Sequence, residues 1–87
     1  MTDWFVYIVE CSDNSLYTGI TTNLDRRIEE HNDSDTSLGA KYTRHRQPVT
    51  LVYHEHLESR SEASKREMAI KRLKRRQKLT LISAGPS

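Results

Sequence analysis

Apolar residues in this chain gather into three short runs and two helical stripes, and the runs come first. Trp4-Phe5-Val6-Tyr7-Ile8-Val9 is an unbroken apolar, aromatic and β-branched segment, which predicts an interior strand buried on both faces. Ser12-Asp13-Asn14-Ser15 is turn chemistry, and Leu16 to Ile20 follows as a second strand, so the two form a hairpin. Side chains alternate along a strand, so Tyr7 and Tyr17 share a face only if the loop between paired residues has an odd number of members. A two-residue turn at Asp13-Asn14 would separate them. Gly19 lies on the Tyr17 side of its strand and leaves bare backbone there, either for a close approach or for a bulge. Val49 to Glu55 reads as a third strand.

The first helical stripe starts after Asn23 or Thr22, either of which can cap it, with Leu24 and Ile28 four residues apart. By helical count, Arg27 and His31 lie within about 60° of Leu24, on the inward stripe, whereas Arg26, Glu29 and Glu30 point to solvent. An inward arginine costs several kcal/mol unless it is paired. Arg27 therefore either salt-bridges a carboxylate inside the fold or serves a ligand, and His31 either caps the helix end or joins it.

Ser59-Arg60-Ser61-Glu62 is a capping box that opens a long second helix, with Ala63, Ala69, Ile70 and Leu73 as its apolar stripe. Glu67 sits at the edge of that stripe, about 40° from Ala63. Leu79, Leu81 and Ile82 form a last apolar turn that closes the core. The expected organisation is one domain over residues 1–82 with a disordered tail over 83–87.

Eighty-seven residues, 34% of them hydrophobic and 30% charged, predict a folded domain with a thin core and an open groove in place of a deep pocket. The single cysteine, Cys11, cannot form an internal disulfide, and there is no leader-like or long apolar segment. The expectation is a soluble, cytoplasmic protein with no membrane partner and no small-molecule cofactor.

Charge changes this picture more than composition does. The formal net charge is +2, yet Lys65 to Lys78 holds eight basic residues against Glu67 alone, and the rest of the chain is net acidic. Such asymmetry is the footprint of a polyanion-binding face, or of a solvated helix. Lys41, Tyr42, Arg44 and Arg46 place bases around one ring, which suits a groove that tracks a nucleic-acid strand. Lys71, Arg72, Lys74 and Arg75 extend the same chemistry along the late helix. His54 and His56 have the spacing of a metal pair but no third ligand nearby, and read as surface residues. Glu67, alone among cations, either pairs with Arg66 or Lys71 or offers a hard-oxygen ligand to Mg²⁺.

In order and separation these features resemble the GIY-YIG nuclease family, and its small stand-alone members in particular, from Trp4 to about Ile82. Val6-Tyr7-Ile8 stands at the GIY strand and Tyr17-Thr18-Gly19 at YIG. Asn23-Leu24 through Arg27 to His31 resembles the N-L-x-x-R-x-x-x-H segment, and Glu67 matches the late metal-binding glutamate. The first motif lacks its Gly, the second has Thr18 for Ile, and no Asn follows Glu67. The resemblance implies an α+β fold, a small three-stranded, mainly antiparallel sheet flanked by helices. It further implies a metal-dependent endonuclease acting on DNA in preference to RNA, in repair, recombination or DNA degradation. Arg27 would then hold the scissile phosphate and Glu67 a single Mg²⁺ or Mn²⁺, while Tyr7 would be the general base or the phenol that positions the attacking water, with Tyr17 beside it, His31 as proton acceptor or relay and Gly19 making room. A basic Tyr7 demands cations close by, which Arg27 and the Lys/Arg helix can supply. Target choice would rest on the chain's own surface or on a protein partner. The alternatives are a catalytically idle nucleic-acid-binding module of the same fold and a protein-interaction domain with a charged docking helix.

Overall fold

The computed structural model describes residues 3–33, 43 and 45–85. In chain order the elements are β1 (Trp4–Glu10), β2 (Leu16–Thr21), α1 (Leu24–Asn32), β3 (Thr50–Leu57), α2 (Arg60–Lys71) and α3 (Arg75–Ala84). The sheet runs β2-β1-β3, antiparallel throughout. The all-apolar strand β1 is central, as its two-faced pattern requires, with Val6, Tyr7, Ile8 and Val9 all buried. Glu10 pairs with Leu16, so the hairpin loop has five members, Cys11 to Ser15, and the register puts Tyr7 opposite Gly19 and Val9 opposite Tyr17. The odd loop therefore sets both tyrosines on one face. Asn14 supplies the left-handed turn residue at φ 67°, and Asp13 Oδ1 accepts from the Ser15 N–H at 3.0 Å.

Helices cover both faces of the sheet. On one face Leu24 and Ile28 of α1 pack with Tyr7, Val9, Cys11, Val49 and Leu51. On the other, Ile70 of α2 and Leu81 and Ile82 of α3 close over Val6, Ile8 and Tyr53. Asn23 caps α1 by accepting from the Arg26 N–H at 3.0 Å, and Ser59 caps α2 by accepting from Glu62 at 3.2 Å. At its far end α1 is pinned to the entry of β3, because the Asn32 side-chain amide both donates to and accepts from the Val49 backbone.

Two expectations are corrected. The long second helix ends at Lys71, before Leu73 of its expected stripe: Leu73 N–H turns back to Ile70 at 3.0 Å, and the last apolar turn lies on a helix of its own, α3, which starts with Lys74 N–H held by Gln77 at 2.9 Å. A continuous helix would carry Leu81 about 16 Å beyond Ile70. The turn folds it back over β3. Ala69 is exposed, since it lies well round the helix from buried Ala63 and Ile70. α3 runs through Ser83 and Ala84.

Candidate active site

Strand register brings Tyr7, Tyr17 and Gly19 to one face, and α1 lays Arg27 and His31 over them. Tyr7 Oη is 2.8 Å from His31 Nε2 and accepts from Arg27 Nε at 3.3 Å. The His31 ring stands edge-on to both tyrosines, with centroids 5.8 Å from Tyr7 and 5.5 Å from Tyr17. Gly19 is required by this crowding. A Cβ there would lie 2.6 Å from Tyr7 Oη and 3.2 Å from Tyr17 Cε2. His31 is fully buried, so it is a member of the cluster and not a solvent-facing helix cap. Arg27 reaches both Tyr7 and, on its own helix, Glu30 Oε1 at 2.9 Å.

Burial and charge fix the protonation of this cluster. Burial pushes the Tyr7 phenol up to about 12, with Arg27 opposing and Tyr17 and Glu67 adding to the rise. Burial likewise drives His31 down to about 4, helped by the Arg27 charge. Burial works against the Arg27 cation too, but Glu30 and the Tyr7 hydrogen bond outweigh it and raise its pKa further. At neutral pH the cluster is a neutral phenol, a neutral imidazole and one guanidinium. A basic Tyr7 demands cations close by. Arg27 is there, and desolvation outweighs it.

Glu67 comes from α2 and bears on Tyr7 through its charge. Its carboxylate is 3.5 Å from Lys71 Nζ, which in turn lies 5.9 Å from the centre of the Tyr17 ring. The α2 pair therefore borders the tyrosine face. Among the described residues no three His, Cys, Asp or Glu side chains cluster to enclose a metal. The donor set fits an ion of one kind only: a hard divalent cation that takes one carboxylate and completes its shell with water and phosphate oxygens. The Lys71 ammonium already supplies positive charge at that carboxylate.

The other expected contacts scatter. Arg46 is tied to the hairpin loop, its Nε 3.1 Å from Asp13 Oδ2. Arg72, Lys74 and Arg75 are exposed around the α2–α3 turn. Lys41, Tyr42 and Arg44 lie outside the described residues. His56 pairs with Asp3 at 2.8 Å and stays exposed, as a surface residue should.

Several residues of the site stand outside the patterns that the sequence offers. Thr43 is fully buried with its Oγ1 2.7 Å from His31 Nδ1, and Gln47 donates to the His31 backbone carbonyl at 2.6 Å. Glu30 is expected in solvent by helical count, yet its i, i+3 spacing from Arg27 is a legible sign of the pair it makes. Behind the opposite face, Arg66 holds Glu55 with a forked hydrogen bond at 2.8–3.1 Å, and Tyr53 Oη also donates to that carboxylate.

Residues 3–80 match the GIY-YIG catalytic domain. A UPF0213 protein of Desulfotalea psychrophila is 63% identical over 82 residues, covering 94% of this chain and 73% of that protein. One from Halobacterium salinarum is 55% identical, over 88% of this chain and 96% of that protein. The solution structure of a UPF0213 protein from Bacillus halodurans, 46% identical, superposes with a TM-score of 0.60 over 94% of this chain and 84% of its own. A structure from E. faecalis, 38% identical, gives the same score over 95% and 86%. The chain belongs to the GIY-YIG catalytic domain family, a nuclease superfamily, and its near relatives there are small UPF0213 proteins.

Proposed function

We propose that this protein is a divalent-metal-dependent endonuclease that hydrolyses phosphodiester bonds of DNA. The observation that carries the reading is the buried Tyr7–Arg27–His31 hydrogen-bonded cluster, built where Gly19 clears the strand and bordered by the only acid of the basic late segment. Hydrolysis needs an attacking water held in line, cations on the phosphoryl oxygens and a route for the proton. Arg27 binds the scissile phosphate, its planar fork shared in the free protein between Tyr7 and Glu30. Tyr7 holds the water. Because a phenol near 12 is not ionised at neutral pH, it accepts the water proton only as its own passes to His31 Nε2. A phosphate beside His31 raises the basicity of that imidazole, which the free protein depresses. Glu67 would hold the Mg²⁺ or Mn²⁺, whose contribution is Lewis-acid charge at the phosphoryl and leaving oxygens.

The exposed Lys71, Arg72, Lys74 and Arg75 supply the salt-dependent hold on the backbone. Repair, recombination and degradation of DNA are the settings this activity suits, with structure-selective cutting as the mode. The test is cleavage of labelled single-stranded, duplex, flap and four-way-junction DNA with Mg²⁺ or Mn²⁺, by wild type and Glu67→Gln. Metal-dependent cutting that disappears in Glu67→Gln, with binding retained, supports the enzyme. Binding without cutting on every substrate refutes it.

One observation favours the idle nucleic-acid-binding module. Both charged groups of the site are already paired, Arg27 with Glu30 and Glu67 with Lys71. That reading predicts that Arg27→Ala and Glu67→Gln leave binding and function unchanged.

A further inference from the structure

The hydrogen bonds of the cluster determine which way its protons point. Arg27 Nε can only donate, so the Tyr7 oxygen accepts from it at 3.3 Å and the single phenol proton needs an acceptor of its own. Among the described residues, His31 Nε2 at 2.8 Å is that acceptor. A neutral imidazole carries one N–H, so with Nε2 accepting, the proton resides on Nδ1, 2.7 Å from Thr43 Oγ1.

From this geometry we infer that Thr43 is a positioning residue, whose hydroxyl oxygen accepts from His31 Nδ1–H and so holds Nε2 free to take the proton of Tyr7. Thr43 suits the task physically. It is fully buried, as is His31, so water does not compete for Nδ1. Its backbone carbonyl accepts from the Arg46 N–H at 3.0 Å, which fixes the turn that presents the hydroxyl. Gln47 holds the same histidine by its backbone carbonyl, so the residue is fixed at its main chain as well as at its ring. With the opposite tautomer, Nε2–H and Arg27 would both donate to Tyr7 and the phenol proton would be left without this acceptor, a cost comparable to a lost buried hydrogen bond. The consequence for hydrolysis rests on the nuclease reading above. The tautomer stands on the hydrogen bonds alone.

The test is ¹⁵N NMR of the imidazole nitrogens at neutral pH, in wild type, Thr43→Ser and Thr43→Val, beside the cleavage assay. Wild type should show His31 with a protonated Nδ1 and an unprotonated Nε2. Thr43→Ser keeps the oxygen and should keep that signature. Thr43→Val keeps the shape and loses the acceptor, so the single-tautomer signature should be lost, and kcat should fall about 10- to 100-fold with KM unchanged. A wild-type spectrum with Nε2 protonated, or a Thr43→Val spectrum identical to wild type, overturns the inference. If Thr43→Val does not fold, wild type and Thr43→Ser decide it. Absence of cleavage by wild type on every substrate would overturn the nuclease reading and leave the tautomer result standing.

Discussion

Replacing Gly19 with alanine adds one methyl group at the most crowded point of the tyrosine face. Its Cβ would sit 2.6 Å from Tyr7 Oη and 2.8 Å from Tyr7 Cζ, inside van der Waals contact. The far end of a side chain can often swing away cheaply, but this ring is only 1% exposed and its oxygen is held by both His31 and Arg27. Moving it sacrifices those hydrogen bonds, and leaving it costs repulsion. Overpacking of this kind costs about 1–3 kcal/mol, against which alanine recovers about 0.5–1 kcal/mol of backbone entropy where the conformation permits it. The net loss centres on about 1.25 kcal/mol, which lowers the melting temperature of a domain this size by roughly 5–10 °C. Thermal denaturation followed by circular dichroism measures it, and the displaced phenol should abolish cleavage. Gly85 supplies the comparison. It ends α3 at φ 84°, and a Cβ added to it would meet nothing within 4 Å. Gly85→Ala should therefore lose about 1 kcal/mol through backbone strain alone and leave cleavage intact. A Gly19→Ala protein as stable and active as wild type would refute the argument that this glycine exists to admit Tyr7.

Acid should destabilise the fold in two steps. His31 is depressed to about 4 from 6.5, so the unfolded chain binds its proton first, and stability falls as pH drops below 6.5 toward 4. The loss between pH 7 and pH 5 is about 2 kcal/mol, read by urea titration, and it should vanish in His31→Gln. Burial raises Glu55, but Arg66 and Tyr53 outweigh it and hold its pKa below 4.5, so its contribution is present above that value and lost further into acid. Glu55→Gln should remove this second step. Thr18 is 3% exposed and its hydroxyl has no hydrogen-bond partner among the described residues. Thr18→Val should therefore stabilise the protein by about 1–2 kcal/mol, measured by denaturant midpoint, and an unchanged midpoint would show that the hydroxyl is satisfied in solution. Neutralising Lys71, Arg72, Lys74 and Arg75 together should flatten the salt dependence of DNA binding by about 0.9 log unit per lost phosphate contact, and an unchanged slope would move the interface elsewhere.

Sequence by itself determined the elements with strong local patterns. The two-faced apolar run made β1 central, and Asn23 and Ser59 started α1 and α2 through caps that act within three residues. Helical periodicity turned Arg27 and His31 inward, and the order of Tyr7, Tyr17, Arg27, His31 and Glu67 carried the family resemblance. What it left open were quantities that depend on non-local neighbours. Parity of the hairpin loop, and hence whether two tyrosines meet, rested on pairing Glu10 with Leu16. The break between α2 and α3 was set by the need to return Leu81 and Ile82 to β3, a demand invisible along one helix. Charge states went the same way. The sequence offered cations to set beside Tyr7, whereas burial in the folded chain, a property of every surrounding element at once, raised its pKa. Thr43 belongs to this class too: twelve residues from His31 along the chain, it meets the ring only because Asn32 and Gln47 bring the end of α1 against the approach to β3.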